Sequence, residues 1–273
     1  MIYVGVRGHR GSGKKSFAAL LANTLDILFS KSENKREEFD ENYGVWVDQI
    51  MKNPDKIPSD LLSTKYTYID AFGDVPKEFV RMLIGVSHEE MDNQYLKDNM
   101  YVNLRTFERK PKELMTDEEL GNIYTISQVY NKFWKLDEIE IIKDDIWLSL
   151  RNFIIYFGQT IMQTYFGANV WLKSIKINEN EDFYNDVKCR IYSDVKTPSE
   201  LTYIENKNGI VIKLNRPGNH KKNTDLYDLE LANDNRYDYS VNVNGDLMSV
   251  KEDIWRIGNE LTRMVSKRSS TDL

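Results

Sequence analysis

The residues best suited to binding a ligand form a glycine-rich stretch close to the start of the chain. Residues 8–16, Gly-His-Arg-Gly-Ser-Gly-Lys-Lys-Ser, nearly match the phosphate-binding pattern G-x-x-x-x-G-K-[ST] and follow a short β-prone run. Glycines let the backbone turn its N–H groups toward a phosphate, and a following helix adds the positive end of its dipole. The stretch therefore predicts a phosphate-binding loop in which Lys14 supplies a mobile positive charge.

One position of this loop departs from the pattern. Lys15 stands where a Ser or Thr normally reaches a bound magnesium ion, and Ser16 follows one residue later. The plain alternative is a tight glycine turn that only joins a strand to a helix. We favour the phosphate loop because Gly13 and Lys14 keep their places in the pattern and a strand precedes them.

Short β-prone runs alternate with helix-length segments along much of the chain. Such strands pair in parallel, so the pattern predicts an α/β fold with a mainly parallel sheet. Apolar periodicity and Gly or Pro signals set the element bounds. The predicted strands are 2–6, 65–71, 190–193, 209–215 and 237–243, and the predicted helices are 14–30, 76–84, 146–157, 159–166, 171–177 and 248–265, with stops at Gly85 and Gly158.

Two segments are expected to lie at the periphery. Residues 31–42 are almost continuously charged with mixed signs, which predicts a solvated helix face. Residues from about 92 to 145 are polar, charged and aromatic with little strand signal, which predicts a peripheral helical insert. The chain has no repeat and no Gly/Ser- or Pro-rich linker. We therefore expect residues 1–273 to form a single domain.

Composition excludes several classes of protein. The net charge of −6 argues against a general nucleic-acid or membrane-surface binder, which would show a basic excess. Cys189 is the only cysteine, so neither an internal disulfide nor a cysteine-based zinc site can form. The apolar stretches are too short to span a bilayer, and the first residues lack the basic segment of a signal peptide. We expect a soluble cytoplasmic protein.

Five segments, taken in order and spacing, resemble the deoxynucleoside monophosphate kinases of T-even and related bacteriophages. The family's loop reads G-x-K-R-S-G-K-D-[TS], so the late serine is a trait of the family. In this chain Lys15 replaces its Asp and Gly11 replaces its usual basic residue. The matching residues are Gly8, Arg10, Ser12, Gly13, Lys14 and Ser16.

The other four segments lie further along the chain. Residues 72–78 resemble the family's A-D-P-L-K-E, and residues 151–159 with the later Trp171 resemble R-[RE]-x-x-Q-x-x-G-T and its Trp, although Asn152 and Gln159 differ. Residues 194–200 resemble D-V-R-x-P-x-E, with Lys196 in place of Arg. Residues 216–218 and 242–245 are similar to R-P-G and N-D-G, while Asp225 and Asp228 stand where the family's lid carries His and Glu.

The resemblance implies a P-loop kinase-type three-layer sandwich with a mainly parallel sheet, helical insertions and a lid-like segment at about 216–236. The implied activity transfers the γ-phosphoryl group of ATP, with Mg²⁺, to a deoxynucleoside 5′-monophosphate for phage DNA synthesis. The implied partners are small-molecule nucleotides and a second copy in a homodimer, with no nucleic acid and no membrane. The implied location is the cytoplasm of an infected bacterial host.

The resemblance also assigns roles to individual residues. The loop would hold the ATP phosphates and Ser16 would reach the metal, while Lys14, Arg151, Asp194 and Arg216 would act in catalysis. The residues assigned to ATP are Gly11, Ser12, Gly13, Lys14, Lys15, Ser16 and Phe17. The residues assigned to the acceptor are Arg10, Arg151, Gly158, Trp171, Asp194, Lys196 and Glu200.

Each assignment has a structural alternative. Arg151 suits an acceptor phosphate because a guanidinium can engage two phosphate oxygens, but it could instead form a surface salt bridge. Asp194 could cap the helix that begins near Pro198, and Trp171 could belong to a core. At the level of function, one rival is another P-loop kinase with a phosphorylated metabolite as acceptor. The second rival, suggested by Lys15 and Lys196, is a nucleotide-binding interaction protein with weak or lost catalysis.

Overall fold

A computed structural model describes residues 1–9, 11–53, 56–133, 145–167, 169–179, 186–217 and 234–271. Arg10, Asp225, Asp228 and most of the lid-like segment predicted at 216–236 lie outside these described residues. The chain divides into two compact units. The first unit contains residues 1–72 and 175–273, and the second unit contains residues 73–174. The prediction of a single nucleotide kinase domain stays a prediction.

The helices and strands are named in chain order. The strands are β1 (Ile2–Gly8), β2 (Thr67–Asp70), β3 (Met100–Asn103), β4 (Arg109–Pro111), β5 (Trp147–Ser149), β6 (Cys189–Val195), β7 (Ile210–Asn215) and β8 (Tyr239–Asn242). The α-helices are α1 (Lys14–Phe29), α2 (Lys35–Lys52), α3 (Ser59–Leu62), α4 (Asp74–Ile84), α5 (His88–Asp92), α6 (Gln94–Asn99), α7 (Asp117–Gly121), α8 (Ile126–Phe133), α9 (Leu150–Ile155), α10 (Met162–Phe166), α11 (Val170–Glu179), α12 (Pro198–Asn206) and α13 (Lys251–Thr271). A π-helical segment, Tyr156–Ile161, joins α9 to α10, and 3₁₀ turns cover Lys112–Leu114 and Leu247–Val250.

The first unit is built on a five-stranded sheet in the order β2-β6-β1-β7-β8. All four strand pairs are parallel, and the carboxyl ends of β6, β1 and β7 meet at the same edge. Each predicted strand overlaps one of these five strands, which confirms the prediction of an α/β fold with a mainly parallel sheet. Helix α1 likewise confirms the helix predicted at 14–30.

Helices flank both faces of this sheet. On one face, Ile2, Val4 and Val6 of β1 join a buried apolar core together with α1, α2 and α13. On the other face, a Cβ atom at Gly5 would lie 3.3 Å from Ile204 of α12. Because side chains alternate along a strand, β1 is buried from both sides. The arrangement is compatible with a three-layer sandwich.

The second unit contains a three-stranded antiparallel sheet in the order β4-β3-β5. Its core includes Val80 of α4, Val102 of β3, Leu148 of β5 and Phe153 of α9. The segment predicted as a helical insert, from about 92 to 145, also contains two short strands, β3 and β4, which the sequence did not predict. Runs this short carry too few residues for their periodicity to separate strand from helix.

The predicted helix at 146–157 needs a second correction. Its first residues form β5 and pair with β3, and the helix begins only at Leu150. The predicted stop at Gly158 is also wrong, because this glycine lies inside the π-helical segment. Among the described residues, no helix is both long enough and apolar enough to cross a membrane.

Candidate functional site

At two positions, the loop between β1 and α1 has a backbone arrangement that only glycine permits. Gly13, at the N-terminus of α1, is left-handed with a φ of 86°. A Cβ atom at Gly8 would lie 2.6 Å from the Ser12 Oγ and 2.8 Å from the Leu214 carbonyl oxygen. Both distances are shorter than van der Waals contact allows. The backbone can therefore lie this close to β7 only because residue 8 has no side chain.

The Ser12 hydroxyl is buried inside this loop without a partner. Ser12 is 2% exposed, and its Oγ forms no hydrogen bond in the described part of the chain. The N-terminus of α1 beside it has no side-chain cap and no acidic residue in its first turn. A helix N-terminus carries partial positive charge and unpaired N–H groups. The loop and the helix end therefore offer an anion a set of hydrogen-bond donors.

Lys14 bends back over the loop. Its Nζ atom donates to the carbonyl oxygens of Gly8 and His9, at 2.6 and 3.0 Å. These neutral acceptors hold the ammonium group beside the loop and leave its charge uncompensated by them. An anionic ligand would be a stronger acceptor for the same group.

Arg216 connects the loop to a neighbouring turn. It follows β7, and its two terminal nitrogens donate to the carbonyl oxygens of Gly11 at 3.0 Å and Gly245 at 3.2 Å. The loops after β1, β7 and β8 are thus joined by one guanidinium group. The structure places Arg216 beside the loop between β1 and α1, and its assigned role in catalysis stays a prediction.

Asp194 lies at the carboxyl end of β6, beside the end of β1. It is 6% exposed, and its Oδ1 accepts a hydrogen bond from the Phe72 N–H at 2.7 Å. The alternative that Asp194 caps the next helix is wrong, because Thr197 is the N-cap of α12. Lys196 forms an ion pair with Asp194, with its Nζ 3.7 Å from the Asp194 Oδ2.

Glu200 fixes the turn that follows Asp194. Its Oε2 accepts hydrogen bonds from the N–H groups of Lys196 at 2.6 Å and Thr197 at 2.9 Å. Burial, together with the negative charge of Asp194, raises the pKa of Glu200 to about 7. The negative charge of Asp194 thus acts on the Glu200 carboxyl group, which titrates near neutral pH.

The remaining loop residues differ in exposure. Lys15 is exposed and Ser16 is partly buried in the first turn of α1. The Phe17 side chain is fully buried in the core, and its N–H donates to the Gly13 carbonyl at 2.8 Å. No cluster of three or more His, Cys, Asp or Glu suited to a metal occurs among the described residues. The Ser16 hydroxyl and the Asp194 carboxylate are nevertheless oxygen donors of the kind that Mg²⁺ prefers.

Arg151 belongs to the second unit and forms an ion pair there. Its Nε lies 2.6 Å from the Asp98 Oδ1, and one terminal nitrogen donates to the Asp98 Oδ2 at 3.2 Å and to the Gln94 Oε1 at 2.9 Å. The structure thus has the salt bridge that was the alternative for this arginine. The assignment of Arg151 to an acceptor phosphate stays a prediction.

Gly158 and Trp171, also in the second unit, are in direct contact. The Trp171 indole N–H donates to the Gly158 carbonyl oxygen at 2.6 Å. A Cβ atom at Gly158 would lie 3.0 Å from the Cβ of Pro76, at the start of α4. The resemblance assigned each of these residues a role toward the acceptor, but no signal in the sequence pointed to this contact.

Some contacts of the candidate residues within each unit could not be predicted from the sequence. The hydrogen bond from Phe72 to Asp194 and the pairing of Asp98 with Arg151 join residues far apart in the chain, so no local pattern marks them. Thr197 is different, because T-x-x-E before an apolar helix is a readable capping box.

No protein-family model matches the chain, and a search of the curated proteins finds no match.

Proposed function

We propose that the chain is a nucleotide kinase that transfers the γ-phosphoryl group of ATP to a deoxynucleoside 5′-monophosphate. The observation that carries the donor half of this proposal is the loop between β1 and α1. It combines a buried Ser12 hydroxyl without a partner, an uncapped helix N-terminus and the Lys14 ammonium group. Together these groups fit the phosphates of a nucleoside triphosphate.

Lys14 would exchange its carbonyl partners for phosphate oxygens when the nucleotide binds. A phosphate is charged and the carbonyls of Gly8 and His9 are not, so the exchange favours the bound state. Arg216 would remain near the nucleotide through the Gly11 carbonyl. Phosphoryl transfer needs this kind of charge neutralisation far more than covalent participation by the protein.

Asp194 and Ser16 are the residues we assign to magnesium. Mg²⁺, when bound, would neutralise charge on the phosphates of the nucleotide. The hydrogen bond from the Phe72 N–H holds one oxygen of the Asp194 carboxylate in place. A fixed carboxylate at the end of the strand beside β1 suits this role.

The assignment of a deoxynucleotide acceptor rests on the resemblance of five sequence segments. Arg151 would give up Asp98 and bind the acceptor phosphate with the same two-pronged geometry. Asp98 is about half exposed, so water can solvate the carboxylate when the arginine leaves it. Lys196, which replaces the family's Arg, would contribute a point charge only.

A coupled ADP-release assay tests the proposal. The protein is supplied with ATP and Mg²⁺ and with dTMP, dGMP, dCMP, dAMP, dUMP or 5-hydroxymethyl-dCMP, their ribose counterparts, or mevalonate phosphate. We expect ADP release with one or a few deoxynucleotides. Release with mevalonate phosphate alone would favour the rival kinase, and no release from protein that binds ATP would favour the nucleotide-binding interaction protein.

A further inference from the structure

The contact between Trp171 and Gly158 lies in an irregular helix. Helix α9, the π-helical segment and α10 follow one another without interruption over residues 150–166. A π-helical turn carries an extra residue, which disturbs the regular pairing of carbonyl and N–H groups and changes the direction of the side chains beyond it. Arg151 is at the start of this helix and Gly158 is inside the irregular turn.

Three elements of the second unit meet at this turn. Trp171 of α11 donates its indole N–H to the Gly158 carbonyl, and Pro76 of α4 lies against the Gly158 Cα. One residue earlier, the Phe157 ring stacks on Phe79 of α4, with centroids 5.6 Å apart and planes at 15°. The contacts of Pro76 and Trp171 with Gly158 thus fix the turn from two sides.

The hydrogen bond also constrains the Trp171 side chain. At 2.6 Å, the bond from the Trp171 Nε1 to the Gly158 carbonyl is short and directional, so it sets the plane of the indole ring. The indole N–H of a buried tryptophan usually finds a hydrogen-bond partner, and here that partner is a backbone carbonyl inside the π-helical turn.

We propose that Trp171 is a positioning residue that holds the π-helical turn through its indole N–H, and that the turn in turn orients the helix that carries Arg151. This inference rests on the proposed function, because it assigns Trp171 to the acceptor side of the reaction. It differs from the role implied by the resemblance, in which the indole ring would offer a face to the nucleobase.

The variant Trp171→Phe separates the two roles, because phenylalanine keeps a flat aromatic face and lacks the N–H. Hydrogen exchange of the amides at 156–163 measures the turn without any need for turnover. Steady-state kinetics then measures KM for the acceptor and for ATP. Trp46→Phe, a partly buried tryptophan in α2 of the first unit, is the matched control.

We expect Trp171→Phe to speed exchange at 156–163 and to raise the KM for the acceptor about fivefold, the equivalent of one lost neutral hydrogen bond, with the KM for ATP unchanged. Wild-type exchange in this segment would overturn the proposal. Faster exchange with a wild-type acceptor KM would also overturn it, because the contact would then be structural only.

Gly158→Ala provides a second route to the same result. Its Cβ would approach Pro76 to 3.0 Å and push the turn away from α4 while the indole remains intact. We expect the same faster exchange and the same selective rise in the acceptor KM; an unchanged acceptor KM would count against the proposal. If the wild-type protein transfers phosphate to no acceptor, the proposed function fails, whereas the exchange measurements still decide whether the indole N–H holds the turn.

Discussion

The Nζ atom of Lys14 lies 2.6 Å from the carbonyl oxygen of Gly8, the last residue of β1. The side chain of the first helical residue after the loop thus contacts the last strand residue before the loop. This contact holds the ammonium group over the loop without a bound nucleotide. In the proposed function, a phosphate oxygen would replace the Gly8 carbonyl oxygen as the partner of this ammonium group.

Lys14→Ala tests the importance of this ammonium group for ATP. We expect kcat/KM for ATP to fall about 10²- to 10³-fold, as when other preorganised donors to a transition state are removed. The free energy of unfolding should change by less than about 1 kcal/mol, because the two carbonyls can bond to water. Steady-state kinetics with ATP varied and urea unfolding measure the two effects.

Lys31→Ala is the control for Lys14→Ala. Lys31 is an exposed lysine just beyond the other end of α1. Its removal changes the net charge by the same amount and should leave both ATP affinity and turnover at wild-type values. Equal losses in the two variants would mean that overall charge, and not the loop, explains the effect.

Gly8→Ala tests the close approach of the loop to β7. The new methyl group would meet the Ser12 Oγ and the backbone oxygen of Leu214 well inside contact distance, so the loop must move. We expect loss of ATP binding and a free energy of unfolding lower by about 1–3 kcal/mol. Isothermal binding and urea unfolding measure the two effects.

Gly44→Ala is the matched glycine control. Gly44 lies in the middle of α2 with open space around its Cα. Alanine is the better helix former, so this variant should gain about 0.5–1 kcal/mol of stability and bind ATP normally. A Gly8→Ala protein that bound ATP as well as Gly44→Ala would contradict the account of the loop.

The first unit could be predicted from the sequence to a large extent. Its strands are β-prone runs that are bounded by turn residues and separated by helix-length segments, so local patterns suffice. The glycine-rich loop between β1 and α1 could likewise be located, because Gly8, Gly13 and Lys14 stand at fixed spacings after β1, whereas its binding of phosphate stays a prediction. The capping box at Thr197 was equally readable.

The second unit could not be predicted as well, because its features depend on contacts between distant residues. Residues 146–149 are apolar enough for a helix or a strand, and pairing with β3 decides between them. A glycine after an apolar helical run, such as Gly158, predicts the end of a helix. The chain nevertheless stays helical there, where Pro76 and Trp171 contact this glycine. Tertiary contacts of this kind leave no trace in a local pattern.

The titration of Glu200 should be visible in the pH dependence of the free energy of unfolding. Its pKa is raised to about 7, chiefly by burial and then by Asp194, so the folded protein holds this proton where the unfolded chain has lost it. The resulting stabilisation is complete below the ordinary pKa of glutamate, 4.5, and disappears as the pH rises through about 7. Wild-type stability should therefore fall over this range relative to Glu200→Gln.

Thermal melts of wild type and Glu200→Gln between pH 5 and pH 8 measure the effect. The difference in melting temperature should move in favour of Glu200→Gln as the pH rises. Glu41→Gln, an exposed glutamate in α2, is the control and should follow the wild-type curve at every pH. A constant difference between wild type and Glu200→Gln would show that Glu200 does not bind its proton more tightly in the folded state.

Arg216→Lys tests the bridge between two loops. Lysine keeps the charge, but a single ammonium group lacks the planar fork that reaches the carbonyls of Gly11 and Gly245 together. We expect the Kd for ATP to rise about three- to tenfold, with the fold intact. Arg263→Lys, an exposed position on α13, should bind ATP as the wild type does. Equal affinities in the two variants would exclude a role for the bridge.

Arg151→Ala tests the acceptor assignment most directly. The ion pair with Asp98 is partly exposed, so its loss should lower the free energy of unfolding by no more than about 1 kcal/mol. The loss of a two-pronged phosphate contact should cost more, and we expect the acceptor KM to rise about tenfold or more while the KM for ATP stays constant. Steady-state kinetics with each substrate varied in turn separates the two constants.

Asp98→Asn completes this test, because it releases Arg151 without removing it. If the carboxylate of Asp98 competes with the acceptor phosphate for the guanidinium group, its loss should lower the acceptor KM. If Arg151 only stabilises the second unit, Arg151→Ala and Asp98→Asn should cost similar stability and neither should change the acceptor KM. That pattern would leave the salt bridge as the whole function of Arg151.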